Sequence, residues 1–286
     1  MKQITNNKGK LFIVFMFVSF IAFMSSCSGG SGYVPAGNNP SVCSQNMPAD
    51  MQKLLGCTTQ QTQPLPPVGA CAAGSIPIGL SVQSYGLGNK VVGASIFLFT
   101  STSNKVANQT PDITLTSGST GTATTCLPVG IQFAVKASAS GYVDTYQFGE
   151  VVSTTDANTL LPVEIMSPTI VSMASGSAGT SQDPTKGAIV GTISDASGNP
   201  LSNAVVSLTN IATSATVTTG VFYGAPSLGL PDPTLTATSS VGDYLAFNVP
   251  PGAYEVQASD ATSHTAIGQS YGEAITGSVS IVNVQP

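Results

Sequence analysis

Along much of this chain apolar residues recur at every second position, in short runs closed off by Gly, Pro, Asn and Asp. Asn203 to Thr209 (NAVVSLT) puts Ala204, Val206 and Leu208 on one face. Tyr254, Val256 and Ala258 likewise stand opposite Glu255 and Gln257. A period of two marks a strand with one face buried. Between such runs lie stops. In Asp195-Ala-Ser-Gly-Asn-Pro200, Gly198 can take positive φ and Asn199-Pro200 restricts the exit. Pro250-Pro251-Gly252 cannot continue a ladder and marks a tight connection. Gly187 to Ser194 and Ser278 to Val284 read as an opening and a closing strand. The pattern predicts an all-β protein, and helical periodicity is nearly absent. The one helical signal past the N-terminus is Met47 to Leu55, with Pro48 at a first helical position and Gly56 at the stop.

Charge excludes one large class of partner. Only 7% of residues are charged and Trp is absent, so solubility rests on Ser, Thr, Asn, Gln and Gly. All 8 basic residues are lysines, against 13 acidic ones. No basic footprint for nucleic acid is present.

The N-terminus carries an export signal. Lys2, Lys8 and Lys10 precede an uncharged run, Leu11 to Met24, that has the length of a signal-peptide core. It is short of the roughly 20 residues a spanning helix needs. Met24-Ser25-Ser26-Cys27 resembles the bacterial lipobox. That resemblance implies cleavage between Ser26 and Cys27 and attachment of lipid to the Cys27 thiol. Small residues before the cysteine let the peptidase reach the backbone. Ser28 after the cysteine, by resemblance to lipoproteins of enteric type, implies sorting to the outer membrane. The expected location is therefore the bacterial cell envelope, on its periplasmic or surface face. Loss of residues 1–26 removes three lysines, leaving 260 residues with a net charge of −8. Ser28 to Gly32 is a flexible Gly/Ser tether.

Four further cysteines, Cys43, Cys57, Cys71 and Cys126, suit an oxidising compartment. They allow three connectivities, and spacing does not choose among them. Cys43–Cys57 with Cys71–Cys126 is preferred, because the first pair would hold the small Met47–Leu55 segment, which has little core of its own. Metal ligation is disfavoured by the absence of a C-x-x-C pair and by a single histidine, His264.

The chain divides into a signal (1–26), a tether with disulfide loop and Pro/Gln-rich linker (27–73), a β-rich stretch (74–166), a polar linker (167–186) and a second β-rich stretch (187–286). The run GAIVGTISDASGNPLSNAVVSLTN followed by GDYLAFNVPPGAYEVQAS resembles a carboxypeptidase regulatory-like domain. Gly198, Pro200, Leu201, Gly242, Tyr244, Val249 to Gly252 and Tyr254 carry the resemblance. It implies a transthyretin-like, Ig-like Greek-key β-sandwich of seven strands, the non-catalytic appendage of the enzymes it is named for. Ala246 stands where that family usually has an aromatic, with Phe247 beside it as the expected compensation. Ile211 to Ser240 is longer than the family form. Residues 74–166 repeat the outline loosely. Gly93 to Phe99 parallels Asn203 to Thr209, and Leu127-Pro-Val-Gly130 parallels Val249-Pro-Pro-Gly252. Two tandem sandwiches are expected.

The chemistry of catalysis is missing from the sequence. There is no G-x-S-x-G motif, and one histidine cannot build a zinc carboxypeptidase site. Asp195, Asp243 and Asp260 read as turn caps, and no metal site or cofactor is expected. Phe222 and Tyr223, in the long insertion, are the candidate ligand contacts if the chain binds glycan, although anchoring of the insertion is the plainer role. Tyr142, Tyr146 and Phe148 read as core. Phe97 and Phe99, opposite Ile96 and Leu98, would cover another domain or a partner if they face outward. The expected function is that of a non-enzymatic, membrane-tethered structural or protein-binding module, with a carbohydrate-binding module of the envelope as the alternative. Its partners would be the membrane, through the lipid, and an envelope protein or glycan.

Overall fold

The computed structural model describes residues 69–86, 88–101, 105–217, 220–226 and 230–286. The signal, Ser26, Cys27, the Cys43–Cys57 pair and the Met47–Leu55 turn lie outside the described residues. What is described is all-β, built from two Greek-key sandwiches of the same strand order.

The first sandwich runs β1 (Ser75–Ser84), β2 (Ser95–Phe99), β3 (Ile113–Thr116), β4 (Thr122–Pro128), β5 (Gln132–Ser138), β6 (Thr145–Val151) and β7 (Leu160–Ile165). A helix, α1 (Pro168–Ser177), follows. The second sandwich runs β8 (Gly187–Thr192), β9 (Ala204–Asn210), β10 (Thr216–Val217), β11 (Val221–Gly224), β12 (Pro231–Asp232), β13 (Asp243–Val249), β14 (Gly252–Asp260), β15 (Ala266–Ala274) and β16 (Val279–Val282). In the first half the sheets are β4-β1-β7 and β3-β2-β5-β6; in the second they are β13-β8-β16 and β10-β9-β14-β15. Opening and closing strands pair in parallel in both halves, β1 with β7 and β8 with β16. The long Ile211–Ser240 stretch adds β11 and β12 to the edge of β13.

The motif residues have visible work. Gly242 sits at φ +71°, and a Cβ there would meet the Ile193 carbonyl at 2.6 Å and Pro200 at 3.0 Å. The turn before β9 and the turn before β13 are thus packed on each other, which only glycine permits. Tyr254 is buried and donates its hydroxyl to the Pro250 carbonyl at 2.9 Å, bracing the Pro-Pro-Gly connection from inside. Tyr244 lies over Gly191, where a Cβ would come within 2.0 Å of the Val282 carbonyl, and its hydroxyl donates to that same carbonyl at 2.6 Å.

The two sandwiches are not separate beads. β16 pairs in parallel with β8 on one side and with β6 of the first sandwich on the other. The result is one nine-stranded sheet, β12-β11-β13-β8-β16-β6-β5-β2-β3. Alternation sends its two faces to different cores. Ile96, Leu98, Phe133, Val135 and Ala137 fill the first sandwich. Phe97 and Phe99, on the opposite face of β2, join Tyr146, Phe148, Ile189, Tyr244 and Val282 in the core of the second. Phe97 and Phe99 do face out of their own sandwich, and what they cover is the other one.

Two sequence expectations need correction. Residues 167–186 are more than a polar linker, because Pro168–Ser177 is helical and Val171, Ala174 and Ala178 pack against Ala188, Val190, Leu245, Val279 and Ile281. Ser167 caps the helix by accepting from the Ile170 N–H, and Pro168 takes the first turn. A Ser/Gly-rich decapeptide has weak helix propensity; burial against the sheet supplies what propensity lacks. Beyond it, the Asn248 side chain accepts from the Asp183 N–H at 2.6 Å, tying the segment to the end of β13. The second correction concerns Phe247. It cannot stand in for the aromatic missing at Ala246, since adjacent strand residues face opposite sides. Ala246 points into the sandwich core, while Phe247 points to the α1 side and meets Phe222 with ring centroids 6.2 Å apart.

Candidate functional site

The feature that sets this molecule apart from two strung sandwiches is the joint between them. Its ladder is the β6–β16 pairing, from Val279↔Thr145 to Val282↔Phe148. A second tie comes from Glu273 on β15. Its carboxylate, buried at 4% exposure, accepts from the backbone N–H groups of Val106 and Ala107, both at 2.8 Å. That pins the β2–β3 connection of the first sandwich onto the second. Val106 itself is buried in the shared core. On the same face Lys136 pairs with Asp144 at 2.6 Å and lies over the rings of Phe97 and Tyr146, at 5.6 and 5.4 Å.

The other face of the joint holds a cavity of about 70 Å³. β7, α1, Leu230 ahead of β12 and the β13-β8-β16 strands line it; it is partly open to solvent, and its wall is mostly apolar. Two carboxylates enter it, Glu164 from β7 and Asp243 from β13. Asp243 is 6% exposed and accepts from the Thr192 hydroxyl at 2.8 Å. Burial pushes its carboxyl up to about 7, the Thr192 hydrogen bond holding the rise back. Glu164 is half-buried. Its carboxyl is also raised to about 7, by burial first and by the charge of Asp243 second. Gln147 on β6 fixes the β7 strand above, accepting from the Glu164 N–H at 2.7 Å. Asn283, just past β16, accepts from the Thr192 N–H at 3.0 Å.

The aspartates foreseen as turn caps part company here. Asp195 and Asp260 do close turns. Asp195 accepts from the Asn199 side chain and from the Ser197 and Asn199 N–H groups, and these bonds lower its carboxyl. Asp260 accepts from Thr262 and Ser263. Asp243 caps nothing. It follows a turn glycine in sequence, which disguised it, yet it opens β13 on the cavity face. Glu164 belongs to no motif; its sequence signal is a carboxylate next to the end of an otherwise apolar strand, LLPVEI.

Phe222 and Tyr223 lie on β11 with their rings taken up by the fold. Tyr223 is buried and its hydroxyl accepts from the Val206 N–H at 3.0 Å. Phe222 is half-buried against Phe247. Tyr146 and Phe148 are buried and stacked at 6.3 Å, and Tyr142 is half-buried in the first core. His264 is exposed in a turn at φ 57°. Cys71 and Cys126 form a disulfide with Cα atoms 5.6 Å apart, fastening the chain before β1 to β4. Among the described residues no three His, Cys, Asp or Glu side chains gather as a metal site would require. Among the same residues no helix is long and apolar enough to cross a membrane.

No protein-family model matches the chain, and no curated protein sequence matches it either. Solved structures that align with it include pilins. The shaft pilin SpaA of Lactobacillus rhamnosus GG aligns at 12% identity over 75% of this chain and 98% of its own, with a TM-score of 0.27. The TIE protein of Bacillus anthracis aligns at 15% identity over 74% of this chain and 34% of its own, with a TM-score of 0.25. The minor pilin of Streptococcus agalactiae aligns at 11% identity over 73% of this chain and 97% of its own, with a TM-score of 0.24. Superposition at that level carries no functional argument; the tandem Greek-key architecture rests on the strand pairing itself.

Proposed function

We propose that this chain is a non-catalytic structural module of the bacterial envelope, tethered by lipid at Cys27 and presenting a two-sandwich body to a protein partner. The observation that supports this most is the shared nine-stranded sheet. Joining two sandwiches through β16, and burying Phe97 and Phe99 of one in the core of the other, removes the hinge that a bare linker would leave. A body made this way transmits position and force, as a spacer or scaffold must. Three of the acidic side chains have structural work: Asp195 and Asp260 close turns, and Glu273 ties the joint.

The anchor is tested by feeding labelled palmitate to expressing cells. Label enters the wild-type protein and is absent from Cys27→Ala, which leaves the membrane fraction. Equal labelling of both would end the reading of Cys27 as the anchor.

A further inference from the structure

Ionised carboxylates inside a protein are normally met by a cation or by several N–H donors. Among the described residues the cavity lining holds no cation, and the bond to the Asp243 carboxylate comes from the Thr192 hydroxyl. From β8 the cavity is met by Thr192, and from beyond β16 by Asn283, both neutral. From β1, Gln83 is in register with Glu164, and Tyr85 closes the strand end. α1 contributes Ile170, Val171 and Ala174 and carries no titratable side chain. The cation of the adjoining sheet face, Lys90, directs its Nζ to Ser81 at 2.7 Å and to Gln83 at 3.4 Å. Among the described residues, the charged groups lining the cavity are Glu164 and Asp243.

Two parts of the cavity wall lack a ladder on both sides: Leu230, next to the two-residue strand β12, and the longer stretch supplied by α1. The strands are held by ladder hydrogen bonds on both sides of β8 and β16. α1 is ten residues long, too short to persist alone in water, and is held by a few small apolar side chains. A cavity of about 70 Å³ admits only a few waters. Glu164 already reaches water in part, so it is the buried Asp243 whose full hydration requires a wall to move.

We propose that Glu164 and Asp243 form a proton-operated latch on the joint: with the pair protonated α1 stays seated over the sheet, and with the pair ionised α1 lifts and admits water. The direction follows from linkage. Both carboxyls lie near 7 when the cavity is closed, and return to their ordinary values near 4 once solvated. Below about pH 4 open and closed forms hold the same protons. Between pH 4 and 7 the open form sheds protons that the closed form retains, so opening grows more favourable as pH rises, levelling above 7. Asp243 carries most of this, because Glu164 keeps partial access to water and its share is reduced.

Hydrogen exchange on the full-length protein in detergent, at pH 5 and pH 8 and corrected for intrinsic exchange, tests the latch. Amides of Val171 to Ala178 are expected to open at least about tenfold more at pH 8, while those of β8 and β14 stay protected. In the double variant Glu164→Gln/Asp243→Asn, which keeps an acceptor for Thr192, the pH dependence disappears. Should the double variant fail to fold, Glu164→Gln alone must shrink the pH effect. Equal protection of wild-type α1 at both pH values overturns the proposal, and so does a pH effect that survives these substitutions.

Discussion

The Cys71–Cys126 bridge offers a quantitative test of how the two sandwiches are coupled. It joins positions 55 apart in sequence, just ahead of β1 and within β4. The β1–β4 ladder already holds these segments together, with Pro77 opposite Cys126. The bridge therefore adds little to the native state and acts on the unfolded one. In the chain-entropy model, closing a loop of this size lowers the unfolded chain's entropy by about 14 cal/mol/K, or about 4 kcal/mol at 25 °C. Both half-cystines are half-buried, so Cys71→Ser/Cys126→Ser costs little in packing and the entropy term dominates. Urea unfolding would be followed by tyrosine fluorescence, since the chain has no Trp, and by far-UV circular dichroism. The double serine variant should keep the native spectrum and lose about 3–4 kcal/mol, with a larger m-value because its unfolded state is more expanded. The shared sheet adds a sharper demand. Weakening the first sandwich must move the whole transition, with both probes still coincident. A shift below about 1 kcal/mol would refute the loop-closure account. Two separated transitions, with the later one unmoved by the substitution, would refute the coupling through β16.

Two further substitutions probe close contacts. Gly191→Ala forces a methyl against the Val282 carbonyl and the Tyr244 ring, and should destabilise by at least about 1–3 kcal/mol in the same urea assay. A change under 0.5 kcal/mol (about the scatter of neutral surface changes) would mean that β16 does not press on β8 as described. Glu273→Ala strips the acceptor from the Val106 and Ala107 N–H groups. It should cost about 2–3 kcal/mol and speed exchange at those two amides, leaving β1 protected; unchanged exchange there would remove this tie from the joint.

Local periodicity and turn chemistry are written in the chain itself. The alternation of NAVVSLT and of Tyr254, Val256 and Ala258 needs no tertiary information to be read as strands, because a strand's period of two is a property of the backbone. The same holds for Gly242 and Gly198, whose positive φ follows from where turns must fall. Alternation even showed that Phe97 and Phe99 face away from Ile96 and Leu98. Only the folded molecule decides what lies beyond that face. β16 and β6 are far apart in sequence, and nothing local in either strand names its partner, since ladder hydrogen bonds use backbone groups every residue shares. The helix at Pro168–Ser177 is equally illegible, being held by a sheet surface rather than by its own propensity. The acid pair follows from the same cause. Asp243 beside Gly242 looks like any turn aspartate, and Glu164 like a stray charge in a strand. They become a pair only when β7, β13 and α1 close around them, because the burial that raises a carboxyl's affinity for its proton comes from the tertiary structure.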